Sequence, residues 1–108
     1  MAQKLNLVID QGTSFFTSFT VNDDGGSPVN FTGYTASSQM RKHYSSSNST
    51  TFTVTANSTG GVSLALTSNV TANLVAGRYV YDVEVIAPAN TTSRIVEGIV
   101  TVTPQVTR

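Results

Sequence analysis

Cysteine and tryptophan are absent from this sequence, histidine occurs once, and charged residues make up only 11% of the chain. The lack of cysteine excludes disulfides and thiolate metal sites, so apolar burial and strand pairing must hold the fold together. No apolar run approaches the roughly 18 residues that a membrane-spanning helix needs. The first residues also lack the apolar segment of a secretory signal peptide. We therefore expect a protein that is synthesised in a cytoplasm and is not exported through a signal peptide.

The shortage of charge has two interpretations. The formal net charge is zero, and the charged fraction is well below the roughly 25% of ordinary soluble domains. Ser and Thr together fill 30 of the 108 positions, so neutral hydroxyls cover the polar faces. Either partners cover much of this surface, or the hydroxyls merely suit a pleated β surface. The balanced charge argues against nucleic acid and an anionic membrane as partners.

Residues that could carry catalysis are scattered along the chain. His43 stands beside Arg41 and Lys42, with no nucleophile or orienting carboxylate at a matching spacing. The acidic residues fall in turns and at outward-facing strand positions. The run Asp23-Asp24-Gly25-Gly26 indicates a turn rather than a calcium loop, because it lacks the distal bidentate acid of such loops. The sequence therefore predicts no enzyme activity, no metal site and no cofactor.

The hydrophobic pattern predicts one all-β domain over residues 1–108. Apolar and polar residues alternate in short segments, and turns rich in Gly, Asn, Asp and Ser separate them. About seven strands at this spacing are typical of an immunoglobulin-like antiparallel β-sandwich, although they also suit a small barrel. We expect one helical turn over residues 67–73, with Val70 and Leu74 facing inward. The predicted strands span residues 4–9, 14–21, 32–44, 52–55, 62–66, 77–86 and 94–103.

One segment favours the sandwich over the barrel. An apolar turn and a glycine lead directly into a strict strand alternation over residues 79–85. The spacing of Leu74, Gly77 and Tyr79 resembles a tyrosine corner, in which a Tyr hydroxyl hydrogen-bonds back to nearby backbone. We therefore predict a structural role for these three residues.

The order of several motifs along the chain resembles a known family. The motifs are DQGT at 10–13, NDDGGSPV at 22–29, FTGYTA at 31–36, VSLALT at 62–67, LVAGRYVYDV at 74–83 and VEGIVTV at 96–102. In this order they resemble the small Ig-like virion proteins of tailed bacteriophages, especially T4-like cyanophages, and the N-terminal domain of phage baseplate upper proteins. The resemblance covers nearly the whole chain. It implies a non-enzymatic structural protein of the virion, located in the tail, baseplate or neck and made in the cytoplasm of the bacterial host.

The partners implied are other virion proteins in a symmetric assembly that holds multiple copies of this chain. We expect contacts at strand edges, because the strands at 4–9 and 94–103 have few charges to block edge pairing. The predicted contact residues are Leu5, Leu7, Glu97 and Val100 on these strands, and the basic Arg41 and Lys42.

Two alternatives stay open. One is a capsid decoration protein on the head lattice, which belongs to the same structural class. The other is a glycan-binding module used in adsorption, for which aromatic rings would form a stacking platform. The rings in question are those of Tyr34, Tyr44, Tyr79 and Tyr81.

Overall fold

The described part of the chain forms two β-sheets that pack face to face, with one short helix between two of the strands. The structure is a computed structural model, and it describes residues 3–22 and 25–106. In chain order the elements are β1 (Gln3–Lys4), β2 (Leu7–Asp10), β3 (Phe15–Thr20), β4 (Thr35–Arg41), β5 (Thr50–Thr51), β6 (Thr53–Ala56), β7 (Gly61–Leu66), α1 (Ser68–Ala72), β8 (Gly77–Ile86) and β9 (Thr92–Thr103).

The strand order is that of an immunoglobulin-like sandwich with one strand moved. The larger sheet has the order β1-β9-β8-β4-β5, with β2 also paired to β9, and the smaller sheet has the order β3-β7-β6. In immunoglobulin domains the first strand joins the sheet that contains the second, fourth and fifth strands. Here β1 and β2 pair in parallel with β9 instead. Within the described residues, β3 consequently has a paired strand on one side only.

The core fills the space between the inner faces of the two sheets. Leu64 of the smaller sheet and Val83, Val96 and Val100 of the larger sheet are fully buried. Alternate residues of β7, β8 and β9 point inward, as period-two strands require. These inward rows are the ones that the alternation of the sequence predicts.

Phe52 marks the place where the chain passes from one sheet to the other. It follows β5, which pairs with β4, and precedes β6, which pairs with β7. Its ring is buried, with its centroid 6.1 Å from that of Phe15 and 6.1 Å from that of Tyr81. Phe52 therefore ties both sheets to one aromatic cluster.

The all-β sandwich is confirmed, and three details of the prediction are corrected. The described residues form nine strands rather than about seven, because the first strand breaks at Leu5 and Asn6 and because Thr50–Thr51 forms a separate strand before Phe52. The sheets are not wholly antiparallel, since β1 and β2 run parallel to β9. The predicted helical turn exists as α1, but Val70 is exposed and Thr71 is buried beside Leu74. The Thr71 hydroxyl makes burial possible by donating to the Thr13 carbonyl at 2.7 Å.

Candidate interaction surface

The tyrosine corner has the contact that its spacing predicts. The Tyr79 hydroxyl donates a 2.7 Å hydrogen bond to the carbonyl of Val75, four residues earlier. Leu74 is buried, and its carbonyl accepts a 2.6 Å bond from the Gln11 side chain. Gly77 has a φ of +140°, a conformation that suits glycine. These contacts hold the turn between α1 and β8 against the end of the sandwich.

The two basic residues predicted to meet a neighbour have partners within the chain. The Lys42 Nζ lies 5.0 Å from the centroid of the Tyr79 ring, in a cation–π contact. Arg41 donates to the carbonyl of Ser46, and its second Nη donates to the Gln39 side chain at 3.0 Å. Both cations lie at the end of β4 and brace the adjacent turn and the tyrosine corner.

The last strand is not an edge among the described residues, so the expectation that a partner pairs with its backbone is wrong. β9 lies inside the larger sheet, between β8 on one side and β1 and β2 on the other. Val100 is fully buried and sits between Leu7 and Tyr79 in the pairing register. Glu97 sits between Lys4 and Asp82, and its carboxylate accepts a 3.3 Å bond from Arg94. Neither residue has a free backbone edge to offer a partner.

The first strand is an edge, but an interrupted one. The N–H of Leu5 bonds to the carbonyl of Glu97 at 2.9 Å, and the Asn6 side chain accepts a 3.1 Å bond from the N–H of Ile99. Between them the Leu5 backbone passes over Gly98, where any Cβ would overlap the Leu5 carbonyl oxygen. Leu7 is 7% exposed, so its side chain belongs to the core. The predicted contacts through Leu5 and Leu7 are therefore made within the chain.

The buried Tyr81 stabilises the bend between β1 and β2. The Tyr81 hydroxyl donates a 2.5 Å hydrogen bond to the Leu5 carbonyl. Tyr81 pairs with Gly98 in the neighbouring strand, so the missing side chain at Gly98 leaves room for the Leu5 backbone. Burial raises the pKa of Tyr81 to about 12, because the ionised phenolate would lose its hydration.

β3 forms an open edge of the smaller sheet. The N–H of Val21 bonds to the carbonyl of Gly60 at 2.8 Å, on the side of β7. Along an antiparallel strand, successive residues turn their N–H and C=O groups to opposite sides. Phe15, Thr17 and Phe19 therefore bond to β7, and the intervening residues Phe16, Ser18 and Thr20 present theirs at the open edge.

Charge is distributed unequally between the two sheets. The strands of the smaller sheet read FFTSFT, TVTA and GVSLAL, without a single charged residue. On its outer face Phe16 is 69% exposed, beside the small hydroxyl side chains of Ser18 and Ser63. Natural edge strands are usually guarded by charges, prolines, bulges or shortness. β3 has six regular residues and none of these protections.

The other edges are better protected. The edge formed by β1 and β2 is broken at Leu5 and has Lys4 and Asp10 at its ends. β5 has only two residues and β6 only four. Of the four edges in the described residues, β3 is the one that offers a long, regular and neutral backbone template.

The larger sheet presents a polar groove on its outer face, opposite the core. The groove has a volume of about 430 Å³ and lies over β4, β8 and β9. Arg94 donates to Asp82 at 3.2 Å and to Glu97 at 3.3 Å across its floor. Glu84 lines the groove without an ion pair in the described residues, and Tyr44, 86% exposed, stands at its rim. This face can offer hydrogen bonds and one aromatic ring to a polar ligand.

The four tyrosine rings of the glycan-binding alternative do not form one platform. Tyr81 is buried in the core, and Tyr34 packs edge-on against Phe31 with centroids 5.4 Å apart. Tyr79 is held at the corner under Lys42. Only Tyr44 has a ring free to stack on a ligand at the groove.

Of the described residues considered for catalysis or metal binding, Asp82, Glu84 and Glu97 line the groove, and His43 does not. His43 lies in an exposed turn, where its backbone N–H donates to the Ser46 hydroxyl oxygen at 3.0 Å. Within residues 3–22 and 25–106, no three His, Asp or Glu side chains converge as a metal site. The acidic pair Asp23 and Asp24 of the predicted turn lies outside the described residues.

The sequence pattern did not identify β3 as an open edge of the smaller sheet. The relevant signal is present, since Gly98 interrupts an otherwise bulky row and Asn6 interrupts an alternating strand. A glycine within a strand often marks the close approach of another backbone. Combining these two positions points to a first strand that bends over β9 and leaves β3 uncovered.

Comparison of the chain with known proteins gives a likeness in fold to solved structures and no match to a family model or a curated protein. A solved structure that resembles this chain is a family 123 glycoside hydrolase from Clostridium perfringens, studied for the hydrolysis of glycolipid glycans. The TM-score is 0.44 and the identity 13%, over 97% of this chain and 24% of the hydrolase. In the described part of the chain, no helix is long and apolar enough to span a membrane.

Proposed function

We propose that this chain is a non-enzymatic structural protein of a tailed-phage virion, which links larger components of the tail, baseplate or neck through strand-edge contacts. The assignment to a virion is supported by the ordered motifs that resemble small Ig-like phage proteins. The mode of contact is supported by one structural observation, the open edge of β3. Its outward N–H and C=O groups belong to a neutral, regular strand with no protecting feature.

The physical reason for a partner is the state of that edge. Unpaired backbone groups on a flat, neutral strand are a template for another strand. The smaller sheet carries no charge that would repel a second surface. A partner strand at β3 takes the place that the first strand occupies in immunoglobulin domains.

A proline substitution at Ser18, compared with an alanine substitution at the same residue, tests this proposal. Ser18→Pro removes an outward N–H of β3, whereas Ser18→Ala shortens the same side chain and keeps the N–H. Both variants are introduced into the phage that encodes the chain, and their copy number in purified particles is measured by quantitative mass spectrometry. We expect Ser18→Ala to be incorporated normally and Ser18→Pro to be lost from particles. Thermal melting of the isolated variants verifies that each one folds.

Normal incorporation of folded Ser18→Pro would contradict the proposal. The same measurement distinguishes the alternative within the structural class. A tail component is expected in a handful to some dozens of copies, and a head decoration protein in hundreds. The wild-type copy number therefore separates the two locations.

The groove on the larger sheet supports a second candidate function, a glycan-binding module used in adsorption. Saccharides are bound by polar side chains and aromatic faces, and the groove supplies Glu84, Gln39 and the exposed ring of Tyr44. A glycan array probed with the isolated chain tests this function. Specific binding that Tyr44→Ala removes would favour it over the structural proposal, and the absence of binding would leave the groove without this role.

A further inference from the structure

The sequence of β3 is suited to antiparallel pairing with β3 of a second copy. Phe16, Ser18 and Thr20 direct their backbone groups outward, and they are spaced evenly about Ser18. If two copies meet antiparallel with a two-fold axis at Ser18, Phe16 of one copy lies opposite Thr20 of the other, and Ser18 lies opposite Ser18. Every outward N–H and C=O of these residues then finds a partner.

The side chains agree with this register on both faces of the sheet. On the outer face, Phe16 lies opposite Thr20 of the second copy. On the core face, Thr17 lies opposite Phe19 of the second copy, and Phe15 lies opposite its Val21. Aromatic side chains opposite β-branched ones are favourable cross-strand pairs, and no like charges face each other. If the two-fold axis lay at Thr17 instead, the outward N–H and C=O groups of Thr20 would have no partner within β3 of the second copy.

We propose that a second copy of this chain occupies the β3 edge, in an antiparallel and two-fold symmetric pairing centred on Ser18. The two smaller sheets join into one continuous sheet, with both cores on the same side. The inference rests on the proposed function and names the partner at its adhesive edge. Isologous pairing of this kind is the commonest form of homo-oligomer, and the zero net charge and neutral sheet remove the repulsion between copies.

The absence of cysteine from the sequence allows a direct test of the register. In Ser18→Cys the introduced thiol is the only one in the chain. Residues in a hydrogen-bonded antiparallel pair have Cα atoms about 5.5 Å apart, a distance within the usual range of a disulfide. We expect mild oxidation, or a short bis-maleimide, to link two copies through residue 18. Thr55→Cys on β6 is the control, because it lies away from β3 and should link far less.

Sedimentation of the isolated wild-type chain over a range of concentrations measures the same association without a covalent link. We expect the mass to rise from 11.4 kDa towards twice this value. Ser18→Lys places like charges opposite each other at the axis and should shift the chain to monomer. Ser63→Lys adds the same charge to the same face, on the neighbouring strand β7, and should leave the dimer in place.

Each outcome has a defined meaning. A monomer at all concentrations, together with Ser18→Cys linking no faster than Thr55→Cys, would overturn the self-pairing. If Ser18→Pro is nevertheless lost from particles, the strand at this edge belongs to another protein and the proposed function stands. If Ser18→Pro is incorporated normally while the isolated chain dimerises, the proposed contact of the β3 edge in the virion fails and the self-pairing of the isolated chain stands.

Discussion

The hydroxyl of Tyr81 donates a 2.5 Å hydrogen bond to the backbone carbonyl of Leu5, across a strand position where Gly98 has no side chain. This contact gives the Leu5 carbonyl a hydrogen-bond donor at the bend in the first strand. It also directs β2 to the outer side of β9, where residues Leu7 to Asp10 pair in parallel. The consequence at the far side of the molecule is that β3 keeps an open edge.

Removal of this hydroxyl should destabilise the fold. Tyr81→Phe keeps the buried ring and leaves the Leu5 carbonyl without its donor, which costs about 1–3 kcal/mol in the free energy of unfolding. Chemical denaturation measures the loss. Tyr44→Phe is the matched control, because Tyr44 is 86% exposed and its hydroxyl contacts water. Equal stability of Tyr81→Phe and wild type would contradict the role assigned to this bond.

The raised pKa of Tyr81 predicts a loss of stability in alkali. Burial raises the pKa of Tyr81 from its ordinary value of 10.0 to about 12 in the folded chain. Between these two values the folded state holds the Tyr81 proton more tightly than the unfolded state. The titration of Tyr81 therefore leaves the free energy of unfolding unchanged below pH 10 and lowers it as pH rises towards 12. Denaturation midpoints measured across this range should fall more steeply in wild type than in Tyr81→Phe. Parallel curves would show that Tyr81 titrates normally.

Gly98 should tolerate no side chain. In Gly98→Ala the new methyl group overlaps the Leu5 carbonyl oxygen, which is backbone and cannot rotate away. We expect a destabilisation of about 1–3 kcal/mol, typical of overpacking, together with faster amide exchange at Leu5, whose N–H bonds to Glu97. Ser93→Ala, at an exposed position of the same strand, should change neither quantity. Unchanged exchange at Leu5 in Gly98→Ala would count against the bend over Gly98.

The tyrosine corner should contribute less than the buried Tyr81. In Tyr79→Phe the ring stays beneath Lys42, and only the bond to Val75 is lost. Val75 is 72% exposed, so water can replace the hydroxyl at its carbonyl. We expect a cost of about 0.5–1.5 kcal/mol, within the net range of ordinary hydrogen bonds. A cost that exceeds that of Tyr81→Phe would reverse this ranking.

Local patterns predicted most of the fold, because each strand encodes which of its faces is buried. The alternation over residues 79–85 gives the inward row of β8, and the spacing of Leu74, Gly77 and Tyr79 gives the corner. Pairing between distant strands is not encoded in this way. The parallel contact of β2 with β9 depends on Gly98 and Asn6 together, which lie far apart in the sequence. The status of β9 as an inner strand, and of β3 as an edge, follows only from that long-range contact.

The sequence predicted strands that lack charge, but it did not predict which of them lies at an open edge. Low charge correctly indicates strands without electrostatic protection, and the smaller sheet has no charge at all. The same property in the sequence at 94–103 pointed to the wrong strand, since β9 is covered on both sides. Composition shows that a strand is unguarded, and only topology shows whether it is exposed.

Amide exchange along β3 tests the central claim most directly. Exchange is measured at single-residue resolution in purified particles and in the isolated chain at low concentration. We predict slow exchange at Phe16, Ser18 and Thr20 in particles and fast exchange at the same residues in the dilute chain. Phe15, Thr17 and Phe19 bond to β7 and should remain protected in both states. Fast exchange at Phe16, Ser18 and Thr20 within particles would show that no strand covers this edge, and the account of assembly through β3 would be wrong.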